Sequence, residues 1–292
     1  MDCRVSPANL KNLSEIIVFG DSNVDSGAES EYSLFNLTGG AIPGSPNVGG
    51  RSCNGPVVVE YAADQLDAKL VNFGVGGART SATNLVYDIV NIWPEVQFSG
   101  VLSQLKWFAE TLGKKKKADK KALYIYWAGS NDIFLPALVD LQEKIDEALE
   151  NIETALTRLT DMGAKYILVA TRSVRPDYSG EDNINGVIFN AQLRLRVQQL
   201  NEELKSEIQI FEAFDWITDM TYNPDMYGFV ETTARCDQNV DCLNDPNVSD
   251  TYITWDAAHK TTRVHEIMAE ALVIQALHMK GNKGKCSVKH LK

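Results

Sequence analysis

The segment that most constrains this chain is 16–23, an apolar run followed by Gly20, Asp21 and Ser22. Its β-branched residues predict a short buried strand, and the glycine and small polar residues after it predict a turn. In open α/β sheets, ligands bind at the carboxyl ends of the strands, so Ser22 would present its hydroxyl group there. A plain turn with a serine that caps a helix accounts for the same residues. A chemical role for Ser22 therefore depends on partners elsewhere in the chain.

Short apolar segments alternate with amphipathic segments along the rest of the chain. The predicted strands after the first are 69–73, 122–128, 165–170 and 207–211, and the predicted helices are 57–66, 99–112, 140–162, 189–205 and 260–279. This alternation is typical of βαβ units with right-handed crossovers. It predicts an α/β fold, a three-layer αβα sandwich around a mainly parallel five-stranded sheet. Residues 1–292 are expected to form a single domain, with an irregular lead-in over 1–15.

Two segments are expected to lack regular structure. Residues 26–56 are rich in Gly, Pro, Asn and Ser and predict a long loop, which in a compact domain is usually functional or disordered. A second loop, which carries Pro176 and Gly180, is predicted before the helix at 189–205.

Charge and hydropathy limit the classes of partner. The formal net charge of -11 argues against a nucleic-acid surface, because phosphate binding needs clustered Lys and Arg. No apolar run reaches the roughly 18 residues of a membrane span, so stable insertion into a bilayer is not expected. The oligomeric state cannot be inferred from such features.

The cysteines and sequons bear on the compartment. Cys236 and Cys242 enclose a short polar loop and are expected to pair, although the count of 5 cysteines leaves at least one thiol over. Glycosylation sequons begin at Asn12, Asn36 and Asn247. The first residues show no leader pattern, which suits an intracellular protein or a mature secreted chain. The disulfide and sequons favour secretion to the extracellular space.

Polar groups follow several of the predicted elements and would meet at one rim of the sheet. Gly76 and Gly77 follow the second strand, Asn131 follows the third, and Asp256 and His259 precede the last helix. Together with Ser22 they contain the parts needed for acyl transfer. A serine needs a base, which His259 can provide, and Asp256 can hold the imidazole tautomer.

The developing oxyanion would need hydrogen-bond donors. The backbone N–H of Ser22, that of Gly77 or Gly76, and the amide side chain of Asn131 are suitable. Each part also has an ordinary interpretation, since Asp-x-x-His pairs are common and a Gly-Gly pair often makes a tight turn. Trp127 and Trp255 are interpreted as core residues, with sugar stacking as the alternative.

Other kinds of site find little support in the sequence. The nucleophile-elbow pattern Gly-x-Ser-x-Gly does not occur, and neither does a Gly-Lys-Ser/Thr phosphate loop. The spacing of Cys236 and Cys242 is too wide for a usual zinc pair. No metal ligand and no cofactor-binding residue is therefore predicted.

In combination, four segments resemble the GDSL, or SGNH, family of serine hydrolases. Segments 19–22, 72–78, 129–132 and 256–259 are similar to its four site blocks, and 49–56 resembles a Gly-Arg-x-x-Asn-Gly segment of its secreted members. Asn23 stands where the family often has Leu, and Lys260 stands where Pro is usual. The resemblance implies a flavodoxin-like fold, catalytic Ser22, Asp256 and His259, and an oxyanion hole of Ser22, Gly77 and Asn131. It implies ester hydrolysis without a metal or organic cofactor.

The leading hypothesis is a carboxylic-ester hydrolase that works through an acyl-serine intermediate. The family includes carbohydrate acetylesterases, lipases and phospholipases, so a small-molecule, carbohydrate or lipid ester is the expected substrate. Short acetyl-type acyl groups are favoured because no amphipathic lid helix is evident. The alternatives are a lipase or phospholipase, an acyltransferase on the same site, and a non-catalytic binding protein. Asp21 is interpreted as a buried hydrogen-bonding residue that holds the turn.

Overall fold

The structure, a computed structural model, describes residues 13–112, 117–134, 141–173 and 180–279. The lead-in up to residue 12, the sequon at Asn12, Cys3, Cys286 and the predicted loop position Pro176 lie outside these ranges.

Five parallel strands form the central sheet, as the alternation of elements predicts. They are β1 (Glu15–Gly20), β2 (Lys69–Asn72), β3 (Leu123–Trp127), β4 (Tyr166–Ala170) and β5 (Glu207–Phe211). Their order across the sheet is β2-β1-β3-β4-β5, and each neighbouring pair is parallel. The order reverses at β1, because β2 and β3 lie on its two sides. Crevices at such a reversal are where doubly wound sheets bind ligands.

Helices cover the sheet and account for most of the remaining described structure. They are α1 (Leu34–Leu37), α2 (Val58–Leu66), α3 (Leu85–Val90), α4 (Pro94–Gln97), α5 (Val101–Thr111), α6 (Leu141–Met162), α7 (Gly180–Glu203), α8 (Ala213–Tyr222), α9 (Val240–Asn244), α10 (Pro246–Ser249) and α11 (Thr262–Met279). A short parallel pair, β6 (Glu231–Arg235) and β7 (Tyr252–Thr254), lies outside the main sheet.

The two faces of the sheet pack against separate apolar cores, which makes the three-layer sandwich. In β1, Ile16 and Val18 point into the core shared with α2, α8 and α11, whereas Ile17 and Phe19 point into the core shared with α5, α6 and α7. The alternation follows from the two-residue period of a strand. Because both faces are covered, the strand reads as a continuous apolar run.

The prediction was wrong about the start of α7. The sequence pattern predicts Gly180 in a loop before a helix at 189–205, but it is the first residue of α7. The core-facing stripe of this helix, from Phe189 to Leu200, starts only at its middle. Ile184 and Val187 in the first half are 59% and 49% exposed, so they do not extend that stripe. Periodicity therefore reveals the packed part of the helix and misses the rest.

The expectation of no regular structure over 26–56 was also too strict. The segment contains a 3₁₀ turn, Gly27–Glu29, and the four-residue helix α1. The Ser33 side chain accepts a hydrogen bond from the Asn36 backbone N–H at 3.1 Å and so caps α1. Elements this short are stabilised by local capping and leave no periodic signal in the sequence.

The predicted Cys236–Cys242 pair is a disulfide in the structure. It links Cys236, the residue after β6, to Cys242 within α9, which matches the expectation from the polar loop. The buried Cys53 is a free thiol. Over the described parts of the chain, no helix is both long and apolar enough to cross a bilayer.

Candidate active site

Ser22 lies in a tight turn directly after β1. The side-chain amide of Gln104, on α5, both donates to the Gly20 carbonyl and accepts from the Gly20 N–H, each at 2.9 Å. The Asp21 N–H donates to the Trp127 carbonyl at the end of β3. The strand end that presents Ser22 is therefore held by two neighbouring elements.

Asp21 has the role that the sequence suggested. Its carboxylate is fully buried, and Oδ1 accepts hydrogen bonds from the backbone N–H and the side-chain amide of Asn23, at 3.0 and 2.7 Å. Its backbone carbonyl accepts from the N–H groups of Val24 and Asp25. These bonds close the turn around Ser22.

Asp256 and His259 lie in the turn before α11. The Trp255 N–H donates to the His259 carbonyl at 2.9 Å, which closes the turn. Asp256 Oδ1 accepts from the backbone N–H groups of Ala258 and His259, both at 2.7 Å. The carboxylate thus organises the same turn that carries the imidazole.

Ser22, His259 and Asp256 make a continuous hydrogen-bonded chain. His259 Nε2 lies 2.8 Å from Ser22 Oγ, and His259 Nδ1 lies 2.9 Å from both carboxylate oxygens of Asp256. A carboxylate accepts only, so Nδ1 carries the proton and Nε2 is free to accept from Ser22. This is the arrangement in which an imidazole can remove the serine proton.

The Asp256 carboxyl group stays ionised in this setting. Partial burial acts to raise its pKa, but the hydrogen bond and charge of His259, with the two backbone N–H groups, lower the pKa to about 2. An ionised carboxylate stabilises the imidazolium that forms when His259 takes a proton.

The Gly76-Gly77 loop lies beside Ser22 and offers one free N–H. The Gly76 N–H donates to Asp25 Oδ2 at 2.7 Å, so it is already committed. The Gly77 N–H and the Ser22 N–H have no hydrogen-bond partner among the described residues. Gly77 has φ +79°, a left-handed conformation that disfavours any residue with a side chain. Of the two glycines, Gly77 is therefore the one able to donate to an oxyanion.

Asn131 follows β3 and lines a cavity that Ser22 also lines. Its side-chain nitrogen donates to the Ala78 carbonyl at 2.9 Å, which uses one of its two amide protons. The neighbouring Asp132 carboxylate accepts from the N–H and the hydroxyl of Thr80. Burial raises the pKa of Asp132 to about 6 against the opposing effect of these bonds. Both side chains tie the loop after β3 to the segment after Gly77.

The cavity beside these groups has a volume of about 190 Å³. Its lining includes the predicted site residues Ser22, Gly76, Gly77, Asn131 and His259 together with Asn23, Ser52, Ser130, Ser173, Ala258, Leu34, Leu85, Val86, Ile89 and Phe134. The lining combines polar groups with apolar side chains. An ester suits such a lining, because its carbonyl needs hydrogen-bond donors and its acyl chain needs apolar contacts.

Segment 49–56, called the mouth loop from here on, reaches the cavity lining through Ser52. The Asn54 side chain accepts from the Thr262 backbone N–H at 2.8 Å at the first residue of α11. Lys260, at the position where the resemblance would favour Pro, is 2% exposed, and α11 begins two residues later. Although Lys260 replaces Pro, the first N–H of α11 is still satisfied, because the mouth loop caps it through Asn54.

The structure places the two tryptophans away from the cavity lining. Trp127 is 1% exposed and packs edge-on to Phe211. Trp255 is 2% exposed, and its indole N–H donates to Asn47 Oδ1 at 2.7 Å. Both are core residues, so neither offers a stacking platform to a sugar.

Sequence reasoning missed the residues that support the site, chiefly Asp25, Asn84 and Gln104. They are buried, and each binds backbone groups of the turns that carry the site residues. The sequence does not single out Asp25, which is one of several acids in a turn-forming segment. Within the described ranges, no cluster of His, Cys, Asp and Glu is arranged to hold a metal ion.

Residues 16–272 match the family described as GDSL-like lipase/acylhydrolase. The chain belongs to this family. Its family places the protein among ester hydrolases, and the match covers every predicted site residue.

Two curated relatives show how far the likeness extends. A GDSL esterase/lipase of Arabidopsis thaliana is 26% identical over an alignment 326 positions long, which covers 91% of this chain and 92% of the relative. The thermolabile hemolysin of Vibrio parahaemolyticus is 25% identical over 291 residues, covering 89% of this chain. The chain spans only 63% of the hemolysin's length.

Solved structures share the GDSL fold at low sequence identity. A lipolytic G-D-S-L family protein from Veillonella parvula has a TM-score of 0.52 at 13% identity, covering 89% of this chain and 97% of its own. A carbohydrate esterase has a TM-score of 0.50 at 13% identity, and the match covers 93% of this chain and 69% of the esterase chain. These likenesses concern the architecture and leave the substrate of this GDSL protein open.

Proposed function

We propose that this GDSL-family protein hydrolyses carboxylic esters through an acyl intermediate on Ser22. The observation that carries the proposal is the 2.8 Å contact between Ser22 Oγ and His259 Nε2, with Asp256 on the far side of the imidazole. His259 acts as the base, Asp256 stabilises the charged imidazole, and the N–H groups of Ser22 and Gly77 with the Asn131 amide receive the oxyanion.

The proposed reaction has two stages. Ser22 Oγ attacks the acyl carbon while its proton passes to His259 Nε2, and the carbonyl oxygen takes the negative charge. As the tetrahedral species collapses, the bond from the acyl carbon to the leaving alcohol breaks, and His259 protonates the alcohol. Water then attacks the acyl carbon, again giving its proton to His259. As this second tetrahedral species collapses, the bond from the acyl carbon to Ser22 Oγ breaks and His259 returns its proton to Oγ, so the carboxylic acid is released and the Ser22 hydroxyl is restored.

Substitution of the nucleophile tests this proposal. Ser22→Ala should lower turnover of p-nitrophenyl acetate by more than about 1000-fold, because the acyl intermediate cannot form. Ser14→Ala is the matched control, since Ser14 is exposed and outside the cavity lining. A fluorophosphonate probe should label Ser22 in the parent protein. Turnover by Ser22→Ala, or an unlabelled parent, would reject the mechanism, and the latter would favour a non-catalytic binding protein.

Short acyl chains are the favoured substrates within this proposal. A cavity of about 190 Å³ has room for on the order of six groups the size of a water molecule. An acetyl or butyryl group fits this volume, with the alcohol directed towards solvent. Relative kcat/KM for p-nitrophenyl acetate, butyrate, octanoate and palmitate, then for acetylated sugars and phospholipids, measures the preference. Values that rise up to palmitate would reject it.

A second candidate, a lipase or phospholipase, is favoured by apolar groups around α3. Ile89 lines the cavity and is 68% exposed, and Ile92, just beyond the helix, is 63% exposed. Exposed apolar side chains beside a cavity can hold the rest of a long acyl chain. This candidate predicts the opposite order in the same ester series, and acyltransfer would be detected as a new ester when an alcohol is added.

Secretion is proposed from the Cys236–Cys242 disulfide, since disulfides persist in oxidising compartments. The sequon residues Asn36 and Asn247 are both exposed, as glycosylation requires. Expression through a eukaryotic secretory pathway should therefore give glycans at both. Unmodified peptides at these positions would remove the support that the sequons lend to secretion.

A further inference from the structure

Among the described residues, a buried carboxylate near Ser22 has only backbone groups as its hydrogen-bond partners. Asp25 is 1% exposed. Its Oδ1 accepts from the Gly27 N–H at 2.9 Å, and its Oδ2 accepts from the Leu34 N–H at 2.9 Å and the Gly76 N–H at 2.7 Å. Three separate segments, the Ser22 turn, the start of α1 and the glycine loop, therefore meet at one side chain.

The Gly76 peptide is held at both of its polar atoms. Asp25 takes the Gly76 N–H, and the Asn84 side-chain nitrogen donates to the Gly76 carbonyl at 2.9 Å. The Gly77 carbonyl accepts from the Leu85 N–H at 2.8 Å. The flanking groups are thereby fixed, and the free N–H of this loop is that of Gly77.

We infer that Asp25 is a positioning residue for ester hydrolysis, which holds the Gly76 N–H so that the next one, that of Gly77, faces the acyl oxygen beside Ser22. The inference rests on the proposed function, because it assigns a role in the same oxyanion site. Asp25 touches no reacting atom, and it acts through the glycine loop.

The chemistry of the pocket explains why a carboxylate stands here. Both oxygens of Asp25 face N–H donors, so an amide in the same place would turn its own NH₂ group against a donor in either orientation. Leu34, whose N–H is bound to Oδ2, also lines the cavity. One carboxylate therefore orients the glycine loop and the aliphatic wall together.

Holding a turn with a buried carboxylate has an energetic cost, because burial disfavours its ionised form. Burial raises the pKa of Asp25 to about 6 against the lowering effect of its three N–H partners, and the nearby Glu60 raises it slightly further. A buried ion that folding must keep desolvated is typical of a functional site, where geometry is maintained at the expense of stability.

Asp25→Asn tests the inference, with kcat and KM for p-nitrophenyl acetate measured separately at about pH 8, where the parent carboxylate is ionised. We expect kcat to fall about 10- to 100-fold with KM within about threefold, because an oxyanion donor is displaced while ground-state binding is retained. Asn84→Asp should act in the same direction, since it keeps the acceptor for the Val86 N–H but loses the donor to Gly76.

Leu159→Ala is the control for loss of stability alone. Leu159 is fully buried near the end of α6 and lines no part of the cavity. The Tm of the Leu159→Ala variant should fall, whereas its kcat should stay at the value of the parent. Phosphonylation of Ser22 by a fluorophosphonate should slow in Asp25→Asn, because that reaction also places charge on an oxygen in the oxyanion site.

The outcomes separate this inference from the proposed function. If Ser22→Ala is inactive while Asp25→Asn and Asn84→Asp both keep the parent kcat, the positioning role is wrong and the nucleophile stands. If Asp25→Asn raises KM alone, the carboxylate serves binding and the inference also fails. If the parent turns over no ester and reacts with no fluorophosphonate, the proposed function fails first.

Discussion

Ser22 Oγ and His259 Nε2 lie 2.8 Å apart although 237 positions separate them in the chain. The first follows β1, the strand at which the sheet order reverses, and the second precedes α11. Their contact depends on the parallel sheet and on the packing of α11 against α2, which bring the turn after β1 and the turn before α11 together. The chemistry proposed for this protein therefore requires the complete fold.

Asp256→Asn should lower kcat for p-nitrophenyl acetate by about 100- to 10,000-fold while leaving the fold intact. An asparagine can donate to Nδ1, which would place the proton on Nε2 and leave no acceptor for the Ser22 hydroxyl. Steady-state kinetics with circular dichroism as the check on folding measures the effect. A kcat near that of the parent would show that the carboxylate does not set the tautomer.

Ile89→Ser should reduce hydrolysis of octanoate more than hydrolysis of acetate. Ile89 borders the cavity and is largely exposed, so an acyl chain that outgrows the cavity would lie against it. Loss of contact with two or three methylene groups corresponds to about 2 kcal/mol in kcat/KM for octanoate. Ile184→Ser, an equally polar change at an exposed site on α7, is the control. If kcat/KM fell equally for octanoate and acetate, the acyl chain would not lie against Ile89.

Replacing the disulfide by Cys236→Ser with Cys242→Ser should lower the free energy of unfolding by about 2 kcal/mol, because the closed loop is short. The Tm of the parent should fall on reduction, whereas that of the double variant should not respond to reductant. Calorimetry with and without dithiothreitol tests this. A parent Tm that ignores reductant would show that the crosslink carries little of the stability.

Asp25 should also be visible in the pH dependence of stability. Its pKa is about 6 in the folded protein against an ordinary 3.8, so the folded state binds the proton more tightly than the unfolded state. The resulting contribution to the free energy of unfolding is complete below about pH 3.8 and is lost as the pH rises through about 6. From about pH 3 to pH 8, the parent should lose on the order of 3 kcal/mol relative to Asp25→Asn.

Urea unfolding of both proteins at a series of pH values measures that difference. Asp132 and His265, whose pKa values burial moves to about 6 and about 3, are present in both proteins and cancel. Parallel stability curves would contradict the assignment of a raised pKa to Asp25.

Much of this protein is determined by the sequence alone, because the relevant patterns are local or periodic. The apolar run of β1 and the stripe of α6 follow from side-chain periods of two and 3.6 residues, and these lead to the sandwich. Disulfide pairing over a separation of 6 residues is equally local. The positions of Ser22, Asn131 and His259 at element ends indicated which groups could meet.

Only the tertiary structure decided how those groups are held. Whether the N–H of Gly76 or that of Gly77 is left free depends on where the Asp25 carboxylate lies. In the sequence, Asp25 is merely one acid in a turn-forming segment. The exposed first half of α7 and the capped helix α1 likewise lack a periodic signal. Hydrogen bonds between distant segments depend on the direction of single N–H groups, which packing sets and residue pattern does not record.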